Sequence, residues 1–134
     1  MYLGKLNDEQ KNLFLDLCIH GANSNNDFAD DEKEMVNAYC TEMQIPVRYT
    51  EENDLDSCID RLIQISSEEE IRAILIEITA LILADDICDE QEEVFMQKFI
   101  KKTGISNDEY KRVSEMLARL STLYKELNDF VSGN

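Results

Sequence analysis

Residues 82 to 95 read ILADDICDEQEEVF, and the carboxylates Asp85, Asp86, Asp89, Glu90, Glu92 and Glu93 crowd the seam between two apolar segments. Carboxylate and amide oxygens gathered on a turn and at a helix start are the ligands of a hard cation such as calcium or magnesium. The same residues in the first turn of a helix also cap it and complement its dipole, each by about 0.3 to 1 kcal/mol. Capping accounts for Asp89 and Glu90, and in an upstream stretch for Asp30 and Asp31. It does not account for Asn23, Asn25, Asp27, Asp85 and Asp86, which precede the cap positions.

The upstream stretch is a second copy of the first. Shifting residues 14 to 45 by 60 positions places Phe14 on Ile74, Cys18 on Ile78, Asn25 on Asp85, Asn26 on Asp86, Phe28 on Cys88, Glu32 on Glu92 and Tyr39 on Phe99. Apolar residues meet apolar residues and one polar junction meets the other, so ANSNNDFADDEKEMV is the counterpart of the acidic seam. In the first copy Asn23, Asn25, Asp27 and Glu34 fall on the ligand positions of a calcium loop. Phe28, however, stands where that loop needs glycine, and Asp30 where it needs an apolar residue, which argues against an EF-hand.

The elements that position these turns are helices. Apolar residues recur at helical spacing through Leu13, Phe14, Leu17 and Cys18, through Met35, Val36, Tyr39, Cys40 and Met43, and through Leu55, Cys58, Ile59 and Leu62. Pro46 stops the second run. A fourth run, Ile71 to Ile82, is announced by Ser66 with Glu69 three residues on and is apolar on more than one face, which makes it the central helix. On it Glu77 is expected to point along the polar edge. A fifth run covers Val94, Phe95, Phe99 and Ile100 and ends at Thr103-Gly104. A sixth begins at Ser106, with Glu109 three residues on, and carries Tyr110, Val113, Leu117, Leu120, Tyr124, Leu127 and Val131 in a heptad seam. That seam either completes the core or reaches a second subunit or a basic protein partner. No stretch alternates long enough for a strand. The expectation is an all-α bundle of about six to seven helices, built from two pseudo-repeated helical hairpins, in one domain over 1–134 with repeats at about 6–65 and 66–131.

Composition narrows the function. Acidic residues number 29 against 13 basic, a net charge of −16, while 43% of residues are apolar and 31% charged. Such a field repels phosphate backbones and anionic lipid heads, so neither nucleic acid nor membrane is expected as a partner. The amino terminus has no leader pattern and no apolar run is long enough to span a bilayer, so a cytoplasmic protein is expected. The four cysteines, Cys18, Cys40, Cys58 and Cys88, lie far apart, and three fall at apolar helical positions, as for reduced, packed thiols. Catalytic sets are not assembled: His20 is the sole histidine, no glycine-rich phosphate loop occurs, and Cys88 has no candidate base beyond His20.

The junctions resemble the repeated A-x-x-A-D-G-x-[IV]-x-x-x-E element of TerB-like domains, named for the tellurite resistance protein TerB. The second copy matches through Ala84, Asp85, Cys88 and Glu92, and the first through Asn25, Phe28 and Glu32. The family's glycine is replaced by Asn26 and Asp86, and its aspartate in the first copy by Asn25. The resemblance implies an all-helical bundle associated with tellurite and general stress responses. It implies no defined reaction, and carboxylates at the two turns that hold divalent cations. With the residues' own reading, the candidate ligands are Asp85, Asp86, Asp89, Glu92, Asn25, Asp27 and Glu32. The alternative is an acidic helical adaptor that binds a protein partner without a specific metal.

Overall fold

Each helix begins and ends where its local chemistry dictates. The computed structural model describes residues 1–26, 28–84 and 88–133, and among them the chain forms α1 (Asp8–Ala22), α2 (Asp30–Met43), α3 (Leu55–Ile65), α4 (Glu68–Ile82), α5 (Glu90–Thr103) and α6 (Asn107–Val131), preceded by a 3-10 turn at Leu3–Lys5. No strand occurs among the described residues, so the all-helical expectation holds. At the start of α1 the Asn7 side chain accepts from the Gln10 amide at 2.9 Å, and Gln10 Oε1 accepts from the Asn7 amide at 2.8 Å, satisfying two amides that the helix leaves unpaired. α6 is capped as expected, by Ser106 with Glu109. α4 is capped one residue later than expected. Ser67 and Glu70 form its box, while the Ser66 hydroxyl accepts from Gln10 Nε2 at 2.9 Å and so ties the start of α4 to α1.

The 60-residue offset of the sequence repeat reappears in the helix bounds: α1 and α4 share it at both ends, as do α2 and α5. Both second helices end on a left-handed residue, Gly104 at φ +79° and Gln44 at φ +59°. Glycine adopts that conformation without penalty, whereas a residue with a Cβ resists it by about 1 kcal/mol. The Ile45 amide offsets part of this by reaching back to the Cys40 carbonyl at 3.0 Å.

α1 and α4 supply the centre of the core, with Phe14, Leu17, Ile74, Ile78 and Leu81 fully buried. α4 packs on α1, α2, α5 and α6, as a helix apolar on several faces must. Cys18, Cys40 and Cys58 are buried free thiols, and Cys88 is half-buried.

Besides Glu32 and Glu92 at the helix starts, two acids, Asp16 and Glu77, are buried in this core. Asp16 accepts from Arg48 at 2.6 Å, from the Glu52 amide at 3.0 Å and from both the amide and side chain of Asn53. These contacts fasten the α2–α3 connection to α1. Glu77 does not follow the polar edge: it is 2% exposed, with its carboxylate 3.2 Å from the Met1 ammonium, which also meets Glu42. The edge expectation fails because α4 is covered there by α2 and the 3-10 turn, and the Tyr39 hydroxyl donates to the Glu77 carbonyl at 2.7 Å.

The heptad seam of α6 divides. Tyr110, Val113, Leu117 and Leu120 are half-buried over the bundle, whereas Tyr124, Leu127 and Val131 are 57%, 54% and 84% exposed.

Candidate cation site at the paired turns

The first turn leaves α1 through two bonds to its last carbonyls, the Asn23 amide to Ile19 and the Ser24 hydroxyl to Gly21. Asn26 then takes φ +61°, donating its amide to the Asn23 carbonyl at 3.0 Å. This is the position at which the resembling element carries glycine, and asparagine is among the side chains that best tolerate that region. Phe28 turns inward against the core and stacks edge-on to Tyr49.

The helix starts that follow are built alike but unequally. Asp89 caps α5 as expected, its Oδ1 accepting from the Glu92 amide at 2.8 Å while Glu92 Oε1 accepts from the Asp89 amide at 3.2 Å. In α2 the cap position falls to Ala29 and not to Asp30. Its methyl group has no acceptor, so only the return half of the box forms, from the Ala29 amide to Glu32 Oε1 at 3.1 Å. Glu32 and Glu92 are 4% and 3% exposed, so each turn carries a nearly buried glutamate at its helix start.

The fold brings the two turns together. Asn25 of the first donates its side-chain amide to Asp89 Oδ2 of the second, across 64 residues of chain. The approach is set by Gly21, where an added Cβ would lie 2.8 Å from the Phe95 ring; a larger residue there would push α1 away from α5. Hydrogen bonds from the Glu92 amide and from Asn25 hold the Asp89 carboxyl below its ordinary range.

Beside this pair Glu93 organises a small network. Its Oε2 accepts from the Tyr110 hydroxyl at 3.2 Å and its Oε1 from Gln97, which also donates to Asn107. Cys88 lies 3.7 Å from Glu93 Oε2, and burial, reinforced by the Glu93, Glu92 and Asp89 charges, pushes its thiol up to about 12. A thiol so protonated is a poor nucleophile at neutral pH. His20, the one base the sequence offers, donates Nε2 to the Asn53 carbonyl at 2.8 Å.

Of the candidate ligands, Asn25 and Asp89 meet, Glu32 and Glu92 each serve their own helix start, and Asp27, Asp85 and Asp86 lie outside the described residues. Among the described residues no three His, Cys, Asp or Glu side chains gather closely enough to hold an ion. Sequence reasoning missed the contact between the turns, for which the small Gly21 opposite an aromatic was the available signal, and it missed the Asp16–Arg48 lock, for which no local signal existed.

No protein-family model and no curated protein matches the chain. Among solved structures, a tellurite resistance protein from Nostoc punctiforme PCC 73102 superposes with a TM-score of 0.73 at 16% identity, over 96% of this chain and 84% of that one. The chain has the TerB-like fold. The all-helical architecture implied by the resemblance is thus found over nearly its whole length. Within this TerB-like bundle the repeated hairpins pack along α1 and α4, and one hydrogen bond, from Asn25 to Asp89, links the two acidic junctions. No described helix is long and apolar enough to cross a membrane.

Proposed function

We propose that this is a non-enzymatic, cytoplasmic TerB-like protein whose paired acidic turns bind a divalent cation, calcium or magnesium, in a tellurite or stress response. The observation that supports the reading is the Asn25–Asp89 hydrogen bond, which brings one residue of each turn together. Asp27 stands two residues from Asn25 in the chain, and Asp85 and Asp86 stand within four of Asp89. The donors are carboxylate and amide oxygens, the set that suits a hard ion. Caps use Asp89, Glu92 and Glu32; a cation relieves the repulsion among the acids that precede them. Asn25, Asp27, Asp85, Asp86, Asp89, Glu32 and Glu92 are the residues that would surround it.

The competing reading is an acidic adaptor that holds a basic protein through a diffuse field, and the net charge of −16 favours it. Calorimetric titration of metal-stripped protein with calcium, magnesium and manganese, beside an Asp85→Asn, Glu92→Gln double variant, separates the two. Glutamine at 92 still accepts the Asp89 amide, so the cap survives and the fold is retained. Saturable, stoichiometric heat that the double variant abolishes supports the cation site. Heat that is unsaturable, or unchanged in the variant, contradicts it and leaves the adaptor.

A further inference from the structure

α6 has two apolar faces, and the bundle covers one. Tyr110, Val113 and Leu117 lie on the covered face, and half-buried Leu120 stands at its border. About 100° around the helix, by 3.6 residues per turn, Met116, Leu123, Leu127 and Phe130 form a second line and are 41%, 51%, 54% and 83% exposed. With Leu120 included the line steps 4, 3, 4, 3, which is the spacing of a two-helix seam. Scattered exposed leucines mean little, but a continuous stripe ending in an almost naked phenylalanine marks an interaction surface.

Charge selects the occupant. α6 carries Asp108, Glu109, Glu115, Glu126 and Asp129 against Lys111, Arg112, Arg119 and Lys125, a net −1 within a chain of −16. A second copy is repelled by the rest of the surface and meets no such field along this helix. The residues that flank the second line on the side away from the bundle are Arg112, Arg119 and Glu126. Neither Arg119 nor Glu126 forms an ion pair of 4.0 Å or less among the described residues of its own chain. Lay two such helices antiparallel so that Met116 stacks on Leu127 and Leu120 on Leu123: Arg119 of each copy then stands beside Glu126 of the other, twice by symmetry. A parallel pairing sets Arg119 level with Arg119 and brings the two acidic bodies side by side.

We propose that the protein self-associates as an antiparallel dimer through the Met116, Leu120, Leu123, Leu127 and Phe130 face of α6, with reciprocal Arg119–Glu126 pairs fixing the direction. Sedimentation of the whole chain over a concentration series up to about 1 mM tests it. The wild type is expected to shift from 15.5 kDa to twice that mass, and Leu123→Ser with Phe130→Ser to stay monomeric. Arg119→Glu alone and Glu126→Arg alone each weaken association about fivefold, while the double exchange R119E/E126R restores it. All these side chains are exposed, and circular dichroism checks that the helices persist. A wild type that stays monomeric throughout, a dimer indifferent to the two serines, or a charge exchange that fails to recover association overturns the proposal.

Discussion

The α1–α2 and α4–α5 hairpins share their helix bounds under one 60-residue offset and keep a buried glutamate at the second helix start, Glu32 and Glu92, but differ in their other buried polar groups. α1 holds Asp16 and α4 holds Glu77, one position out of register with each other, since Asp16 aligns with Ile76 and Leu17 with Glu77. Burial alone would raise the Asp16 pKa, but bonds from the Glu52 amide, Asn53 and Arg48 together bring it below the ordinary value. For Glu77 burial wins over the ammonium beside it, and the carboxyl is raised. The caps diverge too, Asp89 in one copy and Ala29 in the other. The apolar period sets where helices lie, and each polar group is settled by what it meets in three dimensions.

Substitutions at matched places sharpen this contrast. The largest effect is expected at the buried acids: Asp16→Ala leaves Arg48 without its carboxylate and the Glu52 and Asn53 amides without their acceptor, at about 3 kcal/mol or more. Glu77→Gln keeps the volume and removes a charge that burial disfavours, so it should lie within about 1 kcal/mol of wild type. Urea unfolding of the two variants measures both. Gly21→Ala should come next, losing about 1 to 3 kcal/mol because its Cβ meets the Phe95 ring, and it should weaken the contact between the turns.

The caps should move stability in opposite directions. Asp89→Ala is expected to lose about 1 kcal/mol, whereas Ala29→Ser supplies the missing acceptor and should gain about 0.5 kcal/mol or more. Thermal melts of the pair decide it. The smallest effect is a matter of sign in the pH profile. The Asp16 contribution is present above the unfolded pKa of 3.8 and fades as pH falls through its lowered folded value. That of Glu77 is present below 4.5 and fades as pH rises through its raised one. Stability measured against pH should therefore fall less on the acid side in Asp16→Asn, and less above pH 4.5 in Glu77→Gln, than in the wild type.

Helix positions were legible in the sequence because apolar spacing, caps such as Ser106 with Glu109, and the stop at Gly104 are local signals. Ser66 and Ser67 are each followed by a glutamate three residues on, so periodicity cannot choose between them; Gln10, more than fifty residues away, occupies Ser66 and leaves Ser67 to cap. Glu77 and Asp16 read as stray acids because their partners are distant in the chain. The spacing of α6 was plain, but which half the bundle covers depends on where α4 ends. The acidic turns were visible as a repeat, and the bond from Asn25 to Asp89 was not, because it spans 64 residues.

The most direct test of the paired-turn account is to follow the Asn25 and Asp89 amide resonances while metal-stripped protein is titrated with calcium and then magnesium. The account predicts that both shift and saturate with one common midpoint, since one ion is felt by both turns. Saturable shifts confined to a single turn, or none in either, would contradict it.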